Sequence, residues 1–258
     1  MKEITNDKMN EYLEFARDLS VRAGEITMRY FRKDLAVEFK QDRSPVTVAD
    51  RETETFVREA IQERYPDHGI IGEEQGRTES ASPFTWVVDP IDGTKSFIHG
   101  IPLYTVLLAL LYNGEPVAGV IHNPPLDETV YAAKGHGCFF NGAPCMIKQG
   151  PALKDAWVQV TDPADMARSH PEFTSRLLSK AGFCRTWADA YGYLLVATGR
   201  ADVMIDPVLA LWDVAPLQVV ITEAGGRFTD FRGEDRALGA SAIAAAPALH
   251  KEILGLLE

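Results

Sequence analysis

The chain has 258 residues, 46% hydrophobic and 24% charged, which fits a globular protein with a substantial core. Its formal net charge of −11 excludes a nucleic-acid backbone as the main partner, because such binders carry a basic surface, but it allows an anionic substrate if cations are recruited locally. No apolar run reaches the ~20 residues that span a bilayer, and "MKEITNDKMNEYLEFARDLS" lacks a signal-peptide core, so a cytoplasmic protein without a membrane partner is expected. Along the chain, Tyr12, Phe15, Leu19, Ala23, Ile26 and Tyr30 recur at steps of three and four, the pattern of an amphipathic helix. "SPVTVADRETETFVREAIQERYP" predicts a second helix after a polar entry, stopped by Pro66. Strand signals follow in "TWVVD", "LYTVLLALLYNG", "EPVAGVIHNPP", "ETVYAAKG" and "GCFFNG", each closed by Gly, Asn or Pro. From about residue 150 the pattern alternates. A strand "AWVQVTD" precedes the helix "HPEFTSRLLSKAG", and "ADAYGYLLVATG" leads into the strand "ADVMID". The helix "WDVAPLQVVITEAGG", the strands "RFTD" and "SAIAAAP" and a last helix "PALHKEILGLLE" complete the chain. This predicts an α+β half over residues 1–150 and an α/β half over 151–258, with no obvious linker.

Four apolar segments end in carboxylates: "VTVAD" at Asp50, "GIIGEE" at Glu73 and Glu74, "VVDPID" at Asp89 and Asp92, and "LALWD" at Asp213. Any one alone reads as an N-cap, a turn or a solvated face. Together, converging at a mostly dry place, they would repel one another unless cations neutralised them. All-oxygen ligation points to a hard ion, Mg²⁺ or Mn²⁺. HExxH, Walker A, GxSxG and dinucleotide-type glycine motifs are absent, and "KGHGCFFNG" reads as a hairpin turn. The six histidines are scattered, and Cys138, Cys145 and Cys184 have neither CxxC nor zinc-finger spacing, so they read as free thiols. Gly93 and Thr94 complete the pattern. "DGTKSFIHG" can open a short helix whose free N–H groups receive a phosphate oxygen.

The ordered set "SPVTVAD", "GIIGEE", "WVVDPIDGT", then "WD" before an apolar helix and "TEAGG", resembles the inositol monophosphatase superfamily of Mg²⁺-dependent phosphomonoesterases. The resemblance covers about residues 10–257 and implies a layered αβαβα sandwich, two or three Mg²⁺ ions with Mn²⁺ as a substitute, a small phosphorylated metabolite as substrate, and a homodimer. It implies that Glu73, Asp89 and the Ile91 carbonyl hold one metal, and that Asp89, Asp92 and Asp213 hold a second. Glu73 would also serve a third, looser ion. Thr94, paired with Asp50, would orient the attacking water, and the N–H groups of Gly93 and Thr94 would receive the phosphate. The catalytic set implied is thus Thr94, Asp50 and Glu73. Lys40 matches a loop lysine near the metals in relatives, but it stands one residue closer to Asp50 than they have it.

Substrate choice should lie in the second half. Trp187-Ala188-Asp189 replaces the small Gly-Ser/Thr-Ala triplet usual in inositol phosphatases, Tyr191 adds an aromatic, and Asp206 takes the position of a substrate-contacting acid. Extra carboxylates suit a substrate with phosphate at one end and a cation at the other. "DAYGYLLVATGRADVMIDP" and "DPIDGTKSFIHGIPL" are similar to the histidinol-phosphate phosphatase branch of the superfamily. The resemblance implies substrate contacts from Asp92, Gly93, Thr94, Asp189, Asp206 and Asp213, with Trp187 or Tyr191 stacking on the imidazole. The alternatives are an inositol-1-phosphate or broad-specificity phosphatase and, from another class, a non-catalytic metal- or phosphate-binding regulator. Nucleotide 3′-phosphate and fructose-1,6-bisphosphate phosphatases would need further basic contacts that the motifs do not show.

Overall fold

Helix α1 (Asn6–Tyr30) starts where the Thr5 hydroxyl accepts the Lys8 N–H at 3.3 Å, and its apolar face is buried. In the computed structural model, residues 4–41, 43–187, 189–235 and 241–257 are described. A small hairpin, β1 (Glu38–Phe39) and β2 (Pro45–Val46), leads into α2 (Val48–Arg64), then β3 (Gly69–Gly72), β4 (Gly76–Thr78) and β5 (Phe84–Asp92). After the one-turn helix α3 (Thr94–Ile98) the chain meanders through β6 (Thr105–Tyr112), β7 (Glu115–Asn123), β8 (Glu128–Ala133), β9 (Gly137–Phe140) and β10 (Ala143–Cys145). The rest comprises β11 (Trp157–Val160), α4 (Pro163–Ser169), α5 (Pro171–Lys180), β12 (Phe183–Arg185), α6 (Ala190–Ala197), β13 (Val203–Asp206), α7 (Leu211–Glu223), β14 (Arg227–Thr229), β15 (Ala242–Ala245) and α8 (Pro247–Leu254).

The strands make an eight-stranded sheet, in order β10-β9-β8-β7-β6-β5-β3-β4, and a five-stranded sheet, β12-β11-β13-β15-β14. Five layers result, because each apolar face must be covered. On the outer face of the larger sheet, Tyr12, Leu13 and Leu19 of α1 and Val57 and Ile61 of α2 pack against Trp86, Val88 and Leu108. Between the sheets lie α6 and α7, with Tyr193, Leu217 and Val220 against Leu107 on one side and Met204 and Ala244 on the other. Every residue of α6 is buried, as a helix apolar all round requires. Phe173 and Leu177 of α5, with Leu249 and Ile253 of α8, close the far face. This is the layered sandwich that the family resemblance implied.

The expected long elements are present, and the differences are short ones. Strands β1 to β4, β10 and β12 are two to four residues long, too short for periodicity to register. Helix α4 lies between the expected strand "AWVQVTD" and the expected helix "HPEFTSRLLSKAG" and was not anticipated, although Asp162 caps it through Oδ1 to the N–H groups of Ala164 and Asp165, with Pro163 in its first turn. No described helix is long and apolar enough to cross a membrane.

Candidate active site

Two acids three residues apart on a regular strand point to opposite faces, because side chains alternate with a period of two. Asp89 and Asp92 escape this through a β-bulge. In the pairing with β6, Asp89 sits opposite Leu107 and Asp92 opposite Thr105, so β5 spends one extra residue between them. Their partners share a face, and the two carboxylates therefore do too. Pro90 is tolerated within the strand because the bulge interrupts the ladder. Asp89 Oδ1 accepts the Ile91 N–H at 3.0 Å, while Asp92 Oδ2 accepts the Thr105 hydroxyl at 3.1 Å and the Ala190 N–H at 2.7 Å.

Asp213 arrives from the first turn of α7. One of its oxygens caps the helix by accepting the Ala210 N–H at 2.7 Å, and its carboxyl also meets that of Asp89. Ligand oxygens of Asp89, Asp92 and Asp213 lie within 4.8 Å of one another. Asp50 divides its work in the same way. Oδ2 closes a capping box with the Thr47 N–H and hydroxyl at 2.8 and 2.7 Å, and Oδ1 faces the Thr94 hydroxyl at 3.5 Å. Thr94 also donates to the Ile91 carbonyl at 2.9 Å. For Asp50 and Asp213 the capping role and the site role are thus one residue's two oxygens. Gly93, at φ 79°, precedes α3, whose first N–H groups no side chain caps.

Glu73 and Glu74 follow β3. The Lys40 ammonium stands 2.8 Å from Glu73 and 2.6 Å from Glu74, so the lysine of the β1–β2 hairpin does reach the acid cluster. Desolvation pushes the Asp89 carboxyl well above its usual value, helped by repulsion from Glu73, Asp92 and Asp213. Desolvation also raises Asp92 well above normal, with Asp189 and Asp213 adding to it, and pushes Asp213 to about 7. Glu74 is likewise pushed up to about 7 by desolvation, against the pull of Lys40.

This donor set fits a hard divalent cation. It is all oxygen, its carboxylates repel one another, and an ammonium already stands between the neighbouring Glu73 and Glu74. Asp213 holds its proton up to about pH 7 in the folded chain, against a usual value of 3.8, so a cation must compete with that proton at low pH. The rise in melting temperature on adding Mg²⁺ is therefore expected to be small near about pH 5 and large near about pH 8. Comparing melts with and without metal at each pH cancels His122 and His250, whose burial lowers them to about 4 in either case. A pH-independent increment would refute the assigned competition.

At the start of α6 the backbone of Asp189 is strained, with φ 55° and ψ −159°. Its Oδ2 lies 2.9 Å from where a Cβ would stand on Gly93, so the carboxylate covers the glycine and needs it to be one. Desolvation pushes Asp189 up to about 6, against the attraction of Lys95. Asp206 is buried behind it and accepts the Tyr193 hydroxyl at 3.0 Å; desolvation pushes it to about 7, with repulsion from Asp189 contributing. Ala188 lies outside the described residues. Tyr191 turns its ring into the core, with its hydroxyl beside the Glu128–Arg200 ion pair, and is not free to stack on a ligand. Trp187 is 42% exposed and stacks at 6.2 Å on Trp157, so it is the aromatic that remains available. Thr47, Thr105 and Tyr193, which orient Asp50, Asp92 and Asp206, were not anticipated. Thr47 had a legible signal, since Thr-x-x-Asp before a helix is a capping box.

Acid cluster, bulge and uncapped helix start come together on a five-layer fold, an arrangement suited to phosphoryl transfer. The sequence profile described as the inositol monophosphatase family matches residues 8–258. The chain is 39% identical over 242 residues to a histidinol-phosphatase of Chlorobaculum parvum, covering 92% of this chain and 93% of that one. It is 32% identical to a fructose-1,6-bisphosphatase/inositol-1-monophosphatase of Thermotoga maritima, covering 86% of each. The fold superposes on the crystal structure of the extragenic suppressor protein suhB from Bartonella henselae with a TM-score of 0.91 at 28% identity, over 96% of this chain and 98% of that one. The chain belongs to the inositol monophosphatase family and is a phosphatase of that superfamily.

Proposed function

We propose that the chain hydrolyses L-histidinol phosphate to L-histidinol and phosphate with the help of Mg²⁺. The observation that carries the substrate is Asp189, a strained, half-buried carboxylate laid over Gly93 beside the place where the phosphate would sit. A carboxylate there would repel a neutral polyol phosphate for no gain, whereas it attracts the protonated amine of histidinol phosphate. Asp206 is a second acid, buried and in electrostatic contact with Asp189, and exposed Trp187 offers a face for the imidazole. Similarity to the Chlorobaculum parvum histidinol-phosphatase supports the same reading.

Bound Mg²⁺ would supply Lewis acidity and charge neutralisation, held by Glu73, Asp89, the Ile91 carbonyl, Asp92 and Asp213. The chain's own groups do the rest. The Gly93 and Thr94 N–H groups receive the phosphate, and the Thr94 hydroxyl, between Asp50 and the Ile91 carbonyl, orients the attacking water. The water oxygen joins phosphorus as the bond to the histidinol oxygen breaks, and the proton that the water gives up ends on that leaving oxygen.

Phosphate release from L-histidinol phosphate should exceed release from inositol-1-phosphate by about tenfold or more in kcat/KM, a gap of about 1.4 kcal/mol, and both should need Mg²⁺. Equal or better turnover of the inositol ester would give the site to the broad-specificity reading, which the Thermotoga maritima relative favours. Lack of turnover on any phosphomonoester would instead leave a metal- or phosphate-binding regulator.

A further inference from the structure

Glu54 and Arg58 form a buried ion pair that none of the catalytic roles above uses. Glu54 stands one helical turn after Asp50 on α2, so both acids project from the same face toward the site. Its side chain is fully buried. Burying a carboxylate is costly unless every oxygen finds donors, and here three converge. Oε2 accepts the Glu74 N–H at 2.7 Å, and Oε1 accepts the Gln75 N–H at 3.1 Å and Arg58 Nε at 2.7 Å. Arg58 passes the grip onward, donating to the Gly76 carbonyl and, at 3.2 Å, to the Thr78 hydroxyl of β4.

The Glu73–Gln75 loop, which joins β3 to β4, is therefore held from outside. Gly72 and Gly76 pair across the hairpin and leave Glu73, Glu74 and Gln75 as the loop. All three loop N–H groups leave it: Glu73 donates to the Val88 carbonyl of β5 at 3.2 Å, and the other two donate to Glu54. A Cβ at Gly72 would overlap the Glu54 carboxylate, so the glycine makes room for it. The loop is thus locked to α2 and to β5, the strand that carries Asp89.

We propose that Glu54 is a positioning residue for the metal site, fixing the loop so that the Glu73 carboxylate meets the cation together with Asp89. This rests on the reading of Glu73 as a metal ligand. The test measures Mn²⁺ binding to the metal-free full-length protein by electron paramagnetic resonance, alongside the Mg²⁺ dependence of turnover. Glu54→Ala is expected to weaken Mn²⁺ binding by about 10- to 100-fold, the usual cost of losing a group that orients a metal ligand. Most of kcat should return at saturating Mg²⁺. Glu54→Gln, which keeps one acceptor oxygen for the loop, should fall between Glu54→Ala and the parent. If Glu54→Ala fails to fold because Arg58 is left buried and unpaired, Glu54→Ala combined with Arg58→Met removes that charge and should show the same loss of binding. Unchanged Mn²⁺ affinity with a lowered melting temperature would make Glu54 purely structural and overturn the proposal. Glu73→Gln separates the two levels. If it weakens Mn²⁺ binding and the Glu54 variants do not, the positioning role fails alone. If Glu73→Gln leaves binding intact, the ligand assignment fails and takes the positioning role with it.

Discussion

Asp92→Asn is expected to lower kcat by about a thousandfold, the scale of losing a group that stabilises transition-state charge, while leaving the chain folded. The fold should survive because the structural duties of Asp92 need only an acceptor oxygen. Oδ2 takes the Thr105 hydroxyl and the Ala190 N–H, and an asparagine carbonyl placed there can receive both. The amide nitrogen then faces Asp89 and Asp213, within 4.8 Å of which the Asp92 carboxylate now lies. It donates where a cation should be gripped, so a ligand is lost and a competing donor is gained. The same change removes one of the mutually repelling carboxylates that desolvation already holds above its normal pKa. The variant should therefore melt at a higher temperature than the parent in EDTA at alkaline pH, and gain less from Mg²⁺. Steady-state kinetics at saturating Mg²⁺ and melts in EDTA check both halves. Retained turnover would overturn the place of Asp92 in the metal site.

Asp189→Asn should raise KM for L-histidinol phosphate by about 10- to 100-fold, since a hydrogen bond to a charged group is worth about 1.5–3 kcal/mol. It should leave KM for glycerol phosphate nearly unchanged. The asymmetry is the substance of the prediction. Asparagine has almost the same shape, so it still covers Gly93 from the strained backbone position, and it loses only the charge. If Asp189 mattered chiefly for shaping the turn into α6, both esters would suffer alike, and the cation-binding role would be refuted. Kinetic constants for the two esters on one preparation decide between these outcomes.

The elements that the sequence made legible are those whose signal is local. Tyr12, Leu19 and Ile26 mark α1 by their spacing, and the "WVVDPIDGT" acids announce themselves by ending an apolar run. Asp50 and Asp213 were visible as acids at helix starts, where capping and ligation use the same residue types, so type alone could not divide the two roles. Tyr191 misled because an aromatic beside a pocket residue can turn either way on a helix, and packing turned it inward. Glu54 carried no signal beyond its i,i+4 spacing to Arg58, because its loop partners are the backbone N–H groups of Glu74 and Gln75, and every residue but proline has one.

From its sequence alone this protein resembles the inositol monophosphatase superfamily of phosphatases, because "WVVDPIDGT", the acid types and their order persist however the chain is drawn. Only the tertiary structure decides that Asp89 and Asp92 lie together on one face. Strand geometry sets acids three apart on opposite faces, and it is the extra residue opposite β6 that turns them to one side. Only the fold brings Asp213 to them from more than a hundred residues downstream, and only the strained start of α6 lays Asp189 over Gly93. These are facts of register and backbone angle, which depend on what each strand and helix packs against.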